Sequence, residues 1–153
     1  MIESPEFNRA RETAVAYIGI DHSKSSGKVR DNLRKKGVCD DIAEEVIEYL
    51  KSIDYIDDRR AARRVARRYR GRRLRSRRAM VYVFLQNGIE GEIAESEANS
   101  LPDDRETALE LCDATFAGQK KVEDIELMKL LTRRGYHAGL ARDVIREFKK
   151  TFL

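Results

Sequence analysis

The chain has 153 residues, of which 41% are hydrophobic and 38% are charged, and its formal net charge at pH 7 is +4. This length allows one domain or a short array of small units, with much exposed helical surface. No apolar run approaches the roughly 20 residues that a bilayer requires, which excludes a membrane-spanning helix. Two cysteines alone also exclude a disulfide framework.

Two features of the sequence predict a cytoplasmic location. Residues 1–6 carry neither the basic nor the apolar segment of a signal peptide. Cys39 and Cys112 stand far apart, form no CxxC motif and have no histidine nearby. Free cysteines of this kind are typical of a reducing compartment, so we expect the protein in the cytoplasm.

The first predicted helix covers residues 8–20, and a loop of small and polar residues follows at positions 21–27. A pair of shorter helices then meets at Gly37, because glycine is the usual residue at the left-handed end of a helix. Val29 and Leu33 lie four residues apart ahead of this glycine and therefore share one helical face. The first third of the chain thus predicts three helices.

The second predicted group begins with a helix over residues 58–70, which Asp57 or Asp58 caps through its carboxylate. The apolar stripe of this helix consists of Ala61, Ala62, Val65, Ala66 and Tyr69. Further on, residues 80–85 have the composition of a strand. We nevertheless predict a helix there, because the aligned residues 29–36 and 127–134 have helical spacing, and we expect this helix to be buried between others.

The third predicted group begins with a helix over residues 103–116, with Asp103 as its cap and Glu106 placed for a capping box. The glycine-centred pair recurs as well, since Gly37, Gly88 and Gly135 are separated by 51 and 47 residues. In all three copies an alanine stands six positions after the glycine. Matched apolar columns predict these core residues: Leu33, Phe84, Leu131, Ile42, Ile93 and Leu140.

Self-similarity at this period is typical of repeat architectures, in which each unit packs on its neighbours. The sequence therefore predicts an all-α fold of three tandem three-helix repeats that form an elongated, curved array. The predicted repeats are residues 8–50, 51–101 and 102–153.

Charge is concentrated in the middle of the chain. Residues 1–50 carry 8 basic and 10 acidic side chains, residues 51–88 carry 13 and 3, and residues 89–153 carry 10 and 14. Twelve arginines lie between Arg59 and Arg78, and arginines four residues apart on a helix repel one another. This segment therefore needs a neutralising partner, which is a polyanion, an acidic protein, or acidic helices of the same chain at residues 40–48 and 90–97.

We favour an external partner, because the planar guanidinium fork suits phosphates and carboxylates. The predicted binding residues are Arg63, Arg64, Arg67, Arg68, Arg72, Arg73, Arg75, Arg77 and Arg78. No nucleophile, general base and orienting group recur at a recognisable spacing, so we predict neither an enzyme nor a metal or cofactor site.

The segment Tyr55-Ile56-Asp57-Asp58-Arg59, followed by Ala62, resembles the signature of the RecX family of recombinase regulators. Arg34-Lys35-Lys36-Gly37-Val38 and Leu131-Thr132-Arg133-Arg134-Gly135-Tyr136 resemble the glycine turns of that family. The resemblance covers roughly residues 10–150. It implies three tandem three-helix repeats in a small cytoplasmic protein that binds RecA–DNA filaments and inhibits strand exchange, ATP hydrolysis and co-protease activity.

The combined prediction is a monomeric, non-enzymatic regulator that binds a RecA-type recombinase filament on single-stranded DNA and inhibits the recombinase. One alternative is a plain nucleic-acid-binding module without a recombinase partner. Another is a scaffold whose arginines are satisfied within the chain.

Overall fold

The computed structural model describes residues 4–152, and the side chains of residues 4–151. Every regular element in this range is helical, so the prediction of an all-α fold is confirmed. The helices are α1 (Pro5–Ile18), α2 (Ser26–Lys35), α3 (Asp40–Ser52), α4 (Asp58–Ala66), α5 (Arg77–Gln86), α6 (Gly91–Asn99), α7 (Asp104–Phe116), α8 (Asp124–Arg133) and α9 (Ala138–Phe152), with a 3₁₀ turn at Gly71–Arg73. Residues 1–3 and 153 lie outside this range. The first three belong to the segment in which no signal peptide was predicted, and residue 153 is the end of the third predicted repeat.

The chain divides into two compact units. The first unit comprises Met1–Arg64 and Phe84–Ala94, and the second comprises Val65–Val83 and Glu95–Leu153. The boundaries fall inside α4, α5 and α6, so each of these helices contributes residues to both units. The division of the chain into three repeats stays a prediction.

Short polar side chains begin several helices, as the sequence suggests. The Ser4 hydroxyl accepts a hydrogen bond from the Phe7 amide at 3.0 Å, and the helix α1 therefore begins three residues before the predicted residue 8. The Asp103 carboxylate accepts a hydrogen bond from the Glu106 amide at 2.9 Å, which confirms Asp103 as the cap of α7. In both cases the side chain satisfies an amide that has no partner within the helix.

The strand-like segment 80–85 lies within α5, as predicted. Met80 and Phe84 are buried, since these two residues lie four apart on one helical face. The expectation that this helix is buried between others is wrong, because Tyr82 and Leu85 on other faces are 66% and 44% exposed.

The matched columns of the repeat predict the core in part. Leu33, Phe84 and Leu131 are fully buried, but the residues five positions after each glycine are only half-buried: Ile42, Ile93 and Leu140. The next position holds the fully buried alanines: Ala43, Ala94 and Ala141. Adjacent residues point about 100° apart on a helix, so a buried alanine places the preceding residue at the edge of the core.

In the first unit, a buried carboxylate joins three segments of the chain. Asp58 is 4% exposed, and its oxygens accept hydrogen bonds from the Ser26 amide at 2.7 Å and the Ser26 hydroxyl at 2.7 Å. Asp58 Oδ2 also accepts from the Glu90 amide at 2.8 Å. This one side chain therefore satisfies donors at the start of α2 and just before α6.

A close backbone contact accompanies this carboxylate. The Ser25 hydroxyl donates to the Asn87 carbonyl at 2.6 Å, and the Gly27 amide donates to the Gly88 carbonyl at 2.9 Å. A Cβ atom added to Gly27 would lie 2.6 Å from the Gly88 Cα, so neither glycine has room for a side chain. We call Ser25–Gly27, Asp58 and Asn87–Gly88 together the Ser25 junction.

The second unit contains a junction of the same design. The Ser76 amide donates to the Arg134 carbonyl at 3.1 Å, and Asp104 Oδ1 accepts from the Arg77 amide at 2.8 Å. A Cβ atom added to Gly135 would lie 2.7 Å from the Ser76 hydroxyl oxygen. We call Ser76, Arg77, Asp104, Arg134 and Gly135 together the Ser76 junction, and its first two residues lie within the arginine-rich segment, Arg59 to Arg78.

Candidate functional site

The arginine-rich segment begins on α4. Asp57 Oδ1 accepts hydrogen bonds from the Arg59 amide at 2.9 Å and the Arg60 amide at 3.2 Å, so Asp57 caps this helix and Asp58 serves the Ser25 junction instead. The prediction that the helix extends to Arg70 is wrong. It ends at Ala66 and passes through a turn, in which the Tyr69 amide donates to the Ala66 carbonyl at 3.0 Å.

Gly71 marks a second change in the backbone, five residues after α4 ends. Its φ angle is 59°, which lies in the left-handed region that other residues rarely adopt, and a short 3₁₀ turn starts there. The residues after α4 therefore form an irregular stretch that leads into α5. As a result the predicted binding arginines do not share one helical surface.

Two of the predicted arginines, Arg63 and Arg64, lie in the first unit, and both are exposed. Arg64 Nη1 forms an ion pair with Asp21 Oδ2 at 2.8 Å. Hydrogen bonding from Ser23 and the charge of Arg64 lower the pKa of Asp21. An exposed pair of this kind contributes little to stability, so an anionic partner could replace Asp21 at small cost.

The other seven predicted arginines belong to the second unit, and within the described residues none of them forms an ion pair with a carboxylate. Five are exposed: Arg67, Arg68, Arg72, Arg73 and Arg78. Arg75 and Arg77 are half-buried. Where contacts are seen, these guanidinium groups meet an aromatic ring or backbone carbonyls, which leaves the positive charge uncompensated.

Tyr69 organises two of these arginines. The guanidinium carbons of Arg73 and Arg75 lie 5.2 Å and 4.7 Å from the centre of the Tyr69 ring. Arg75 Nη1 also donates to the Arg73 carbonyl at 3.0 Å. Cation–π contacts at these distances hold both guanidinium groups in place without reducing their charge.

Arg134 adds a basic side chain that the sequence did not single out for binding. Arg134 Nη2 donates to the Arg72 carbonyl at 3.1 Å, and Arg134 Nε is buried without a hydrogen-bond partner in the described residues. Burial lowers the pKa of Arg134, and nearby positive charges lower it further: Arg75, Arg133 and Arg73. We call Arg72, Arg73, Arg75, Arg133 and Arg134 the basic cluster.

Arg77 and Arg78 have structural contacts. Arg77 Nε donates to the Leu101 carbonyl at 2.9 Å, and its Nη2 donates to the same oxygen. Arg78 Nη2 donates to the Gly135 carbonyl at 3.3 Å. These two side chains satisfy carbonyls that follow α6 and α8, so they support the fold as well as adding charge.

Two acidic residues of α3, Glu44 and Glu48, form ion pairs within the first unit. Glu44 pairs with Arg30, which raises the pKa of that guanidinium and lowers the pKa of Glu44. Lys51 lies 3.5 Å from Glu48 and 3.7 Å from Glu90. These contacts are all made within the first unit.

Two residues with important roles were therefore missed. Asp58 was expected only as a possible helix cap, but it accepts hydrogen bonds at the Ser25 junction. The sequence signal for this role is the Asp57-Asp58 pair, because Asp57 caps the helix and leaves Asp58 available for the junction. Arg134 stands directly before a repeat glycine, and no local pattern shows that it lies near Arg73 and Arg75.

Within the described residues, each helix is too short or too polar to cross a membrane. No protein-family model matches the chain.

Relatives with curated names cover most of the chain. It is 26% identical over 147 residues to regulatory protein RecX of Clostridium botulinum strain Eklund 17B, which covers 91% of this chain and 68% of the relative. It is 29% identical over 152 residues to regulatory protein RecX of Thermobifida fusca, which covers 94% of this chain and 82% of the relative. At this coverage both matches span the Asp57-Asp58 segment and the glycine turns.

The fold is also that of a solved structure. The crystal structure of RecX from Lactobacillus salivarius superposes with a TM-score of 0.76 and 18% sequence identity, over 95% of this chain and 97% of that chain. The resemblance to the RecX family of regulatory proteins is therefore confirmed by relatives that carry that name and by a solved RecX structure with the same fold.

Proposed function

We propose that this protein regulates a RecA-type recombinase by binding the recombinase filament on single-stranded DNA, and that this binding inhibits the recombinase. One observation carries the proposal. Five of the predicted arginines in the second unit are exposed and pair with no carboxylate in the described residues: Arg67, Arg68, Arg72, Arg73 and Arg78. Like charges so close together are costly unless an anionic partner compensates them.

The chemistry of the arginines supports a partner with phosphates or carboxylates. Guanidinium groups bind both in a planar, two-pronged geometry, and a nucleoprotein filament offers both. The relatives are named regulatory proteins, and the link to RecA comes from the family resemblance. We further propose that the protein acts in the cytoplasm as a monomer, without catalysis and without a cofactor.

The test compares bare single-stranded DNA with DNA that is coated with RecA-type recombinase, across a salt series. Phosphate contacts release counterions, so affinity for bare DNA should fall steeply with salt. Contacts with recombinase side chains add to this, so the filament should be bound more tightly than bare DNA near physiological salt. Equal affinity for both at every salt concentration would rule out the recombinase partner and leave the plain nucleic-acid-binding module.

A charge-matched pair of variants tests the arginine surface. Combined substitution of Arg67, Arg68, Arg72 and Arg73 by Ala should weaken binding to both targets with the helical content retained. The control removes four exposed basic residues elsewhere in the second unit and should change binding little: Lys120, Lys121, Arg142 and Arg146. If the variant of the four arginines keeps its affinity for both targets, these arginines are not a binding surface and the scaffold alternative stands.

Inhibition is measured separately, as ATP hydrolysis by the recombinase on single-stranded DNA. Adding the wild-type protein should lower the rate, and the variant of the four arginines should lower it less. An unchanged or increased rate with wild-type protein would contradict inhibition without affecting the binding result.

A further inference from the structure

The second unit contains an apolar cavity that the proposed electrostatic contact does not use. Its volume is about 250 Å³, and its walls include Ala66, Leu74, Met80, Leu101 and Pro102. All lining residues belong to the second unit. The cavity is therefore smaller than a typical site for a drug-sized ligand, and its size suits one compact planar group.

Charged groups surround the apolar walls. Arg70, Arg75 and Arg77 line the cavity together with Glu110, which is exposed. Tyr69 lines it as well, but its ring already contacts the guanidinium groups of Arg73 and Arg75. The cavity thus offers apolar walls, planar guanidinium groups and one carboxylate acceptor.

The cavity adjoins the basic cluster through Arg75, which lines the cavity and is close enough to Arg134 to lower the pKa of that guanidinium. An occupant that carries a negative charge beside a flat apolar group would fill the apolar cavity and pair with the basic cluster at the same time. A nucleotide unit of single-stranded DNA has this composition, because its base is planar and its phosphates are charged.

We propose that the cavity holds one unstacked base of single-stranded DNA while the basic cluster binds the flanking phosphates. The inference rests on the proposed function and names a subsite for it. Glu110 argues against an acidic protein side chain as occupant, because two carboxylates would repel each other there. The same carboxylate accepts hydrogen bonds from the amino groups of cytosine, adenine or guanine, as acidic side chains do in base recognition.

The first test compares two oligonucleotides of equal length, an oligo(dC) strand and an abasic strand that keeps the phosphates but lacks the bases. The wild-type protein should bind oligo(dC) roughly ten-fold more tightly, which is the contribution expected of one seated base. Ala66→Leu fills the cavity from the end of α4 and should bring the two affinities together. Its salt dependence should stay that of the wild type, since the phosphate contacts remain.

The second test does not depend on filling the cavity. Glu110→Ala changes an exposed side chain and should leave the fold intact. Thymine has no exocyclic amino group, so wild-type protein should prefer oligo(dC) to oligo(dT), and Glu110→Ala should lose that preference. The ratio of the two affinities is the readout, because removing a negative charge raises affinity for any DNA.

Three results would overturn the inference and separate it from the proposed function. Equal wild-type affinity for oligo(dC) and the abasic strand would remove the base subsite and leave filament binding intact. Binding to the filament with no binding to either bare strand would do the same. A loss of filament binding in Ala66→Leu, with an unchanged preference for oligo(dC) over the abasic strand, would assign the cavity to an apolar side chain of the recombinase.

Discussion

The Ser25 junction and the Ser76 junction are built on one plan, but they use different residues. In each, a serine precedes a helix, an aspartate from a later helix accepts a backbone amide, and a glycine turn packs against the serine. At the first junction the residue after the serine is Ser26, whose hydroxyl donates to a buried Asp58. At the second it is Arg77, whose guanidinium donates to the Leu101 carbonyl, and Asp104 is half-buried.

The difference shows that arginine content alone overstates the binding surface. Arg77 and Arg78 occupy positions of the Ser76 junction and the turn beside it, where they satisfy carbonyls. Arg67 and Arg68 are exposed and have no such contacts in the described residues. Some arginines of this segment therefore support the fold and others are available for binding. Their position relative to the Ser76 junction distinguishes the two groups.

The strongest test of the junction plan uses the repeat glycines. Gly88 and Gly37 have nearly equal φ angles of 82° and 83°, but only Gly88 has close neighbours, with the Lys28 amide 2.8 Å from an added Cβ. We expect Gly88→Ala to lower the free energy of unfolding by about 3 kcal/mol or more, since strain and a clash combine. Gly37→Ala should cost only about 1–2 kcal/mol, from strain alone. Urea unfolding of both variants measures this, and equal losses would contradict the packing role of Gly88.

The next test compares the two aspartates. Asp58 accepts three hydrogen bonds while nearly fully buried, whereas Asp104 accepts one from the Arg77 amide while half-buried. Asp58→Asn turns an amide donor toward existing donors and should cost about 2–3 kcal/mol of unfolding free energy, against about 1 kcal/mol for Asp104→Asn. Thermal and urea unfolding at neutral pH provide the comparison. If Asp104→Asn proves the more costly, burial does not set the strength of these contacts.

Much of the fold could be predicted from the sequence, because apolar residues recur at the same distances from Gly37, Gly88 and Gly135. The aligned copies correctly predicted a helix at residues 80–85 against local strand propensity, since tertiary packing overrides such preferences. The aligned repeat positions did not predict that Ala43 is buried and Ile42 only half-buried. Both residues are apolar, and the orientation of the helix decides which of them faces the core.

The candidate site could be predicted only as a composition. Whether an arginine reaches a carbonyl, as Arg77 does, or solvent, as Arg68 does, depends on groups distant in sequence. The sequence also did not show that α4 ends at Ala66, because the predicted apolar stripe continues to Tyr69. The place of Arg134 beside Arg73 is a tertiary contact with no local signal.

A pair of double variants separates structural from binding arginines. Arg77→Ala with Arg78→Ala removes donors to two carbonyls and should cost about 1–2 kcal/mol of unfolding free energy. Arg67→Ala with Arg68→Ala removes exposed side chains and should change stability by less than about 0.5 kcal/mol. For each phosphate of single-stranded DNA that a variant no longer neutralises, the slope of log affinity against log salt should become shallower by about 0.7. A loss of stability confined to the Arg67 and Arg68 variant would reverse the assignment.

The smallest expected effect concerns the residue after each junction glycine. Tyr136 follows Gly135, whereas the apolar Ile89 follows Gly88, so only the Ser76 junction has a titratable group there. Burial raises the pKa of Tyr136 from 10.0 to about 12, although its hydrogen bond with Thr107, at 2.8 Å, lowers it. Between these values the folded protein keeps a proton that the unfolded chain loses, so stability is full below pH 10 and falls as pH rises toward 12.

The variant Tyr136→Phe removes this titration and keeps the ring. Urea unfolding at pH 8 and pH 11 should show a loss for the wild type that exceeds the loss for the variant by about 1 kcal/mol. The buried thiol of Cys112, whose pKa burial raises to about 11, is present in both proteins and contributes equally to their losses. Equal losses in the two proteins would show that the unfolded chain and the folded chain release the Tyr136 proton alike.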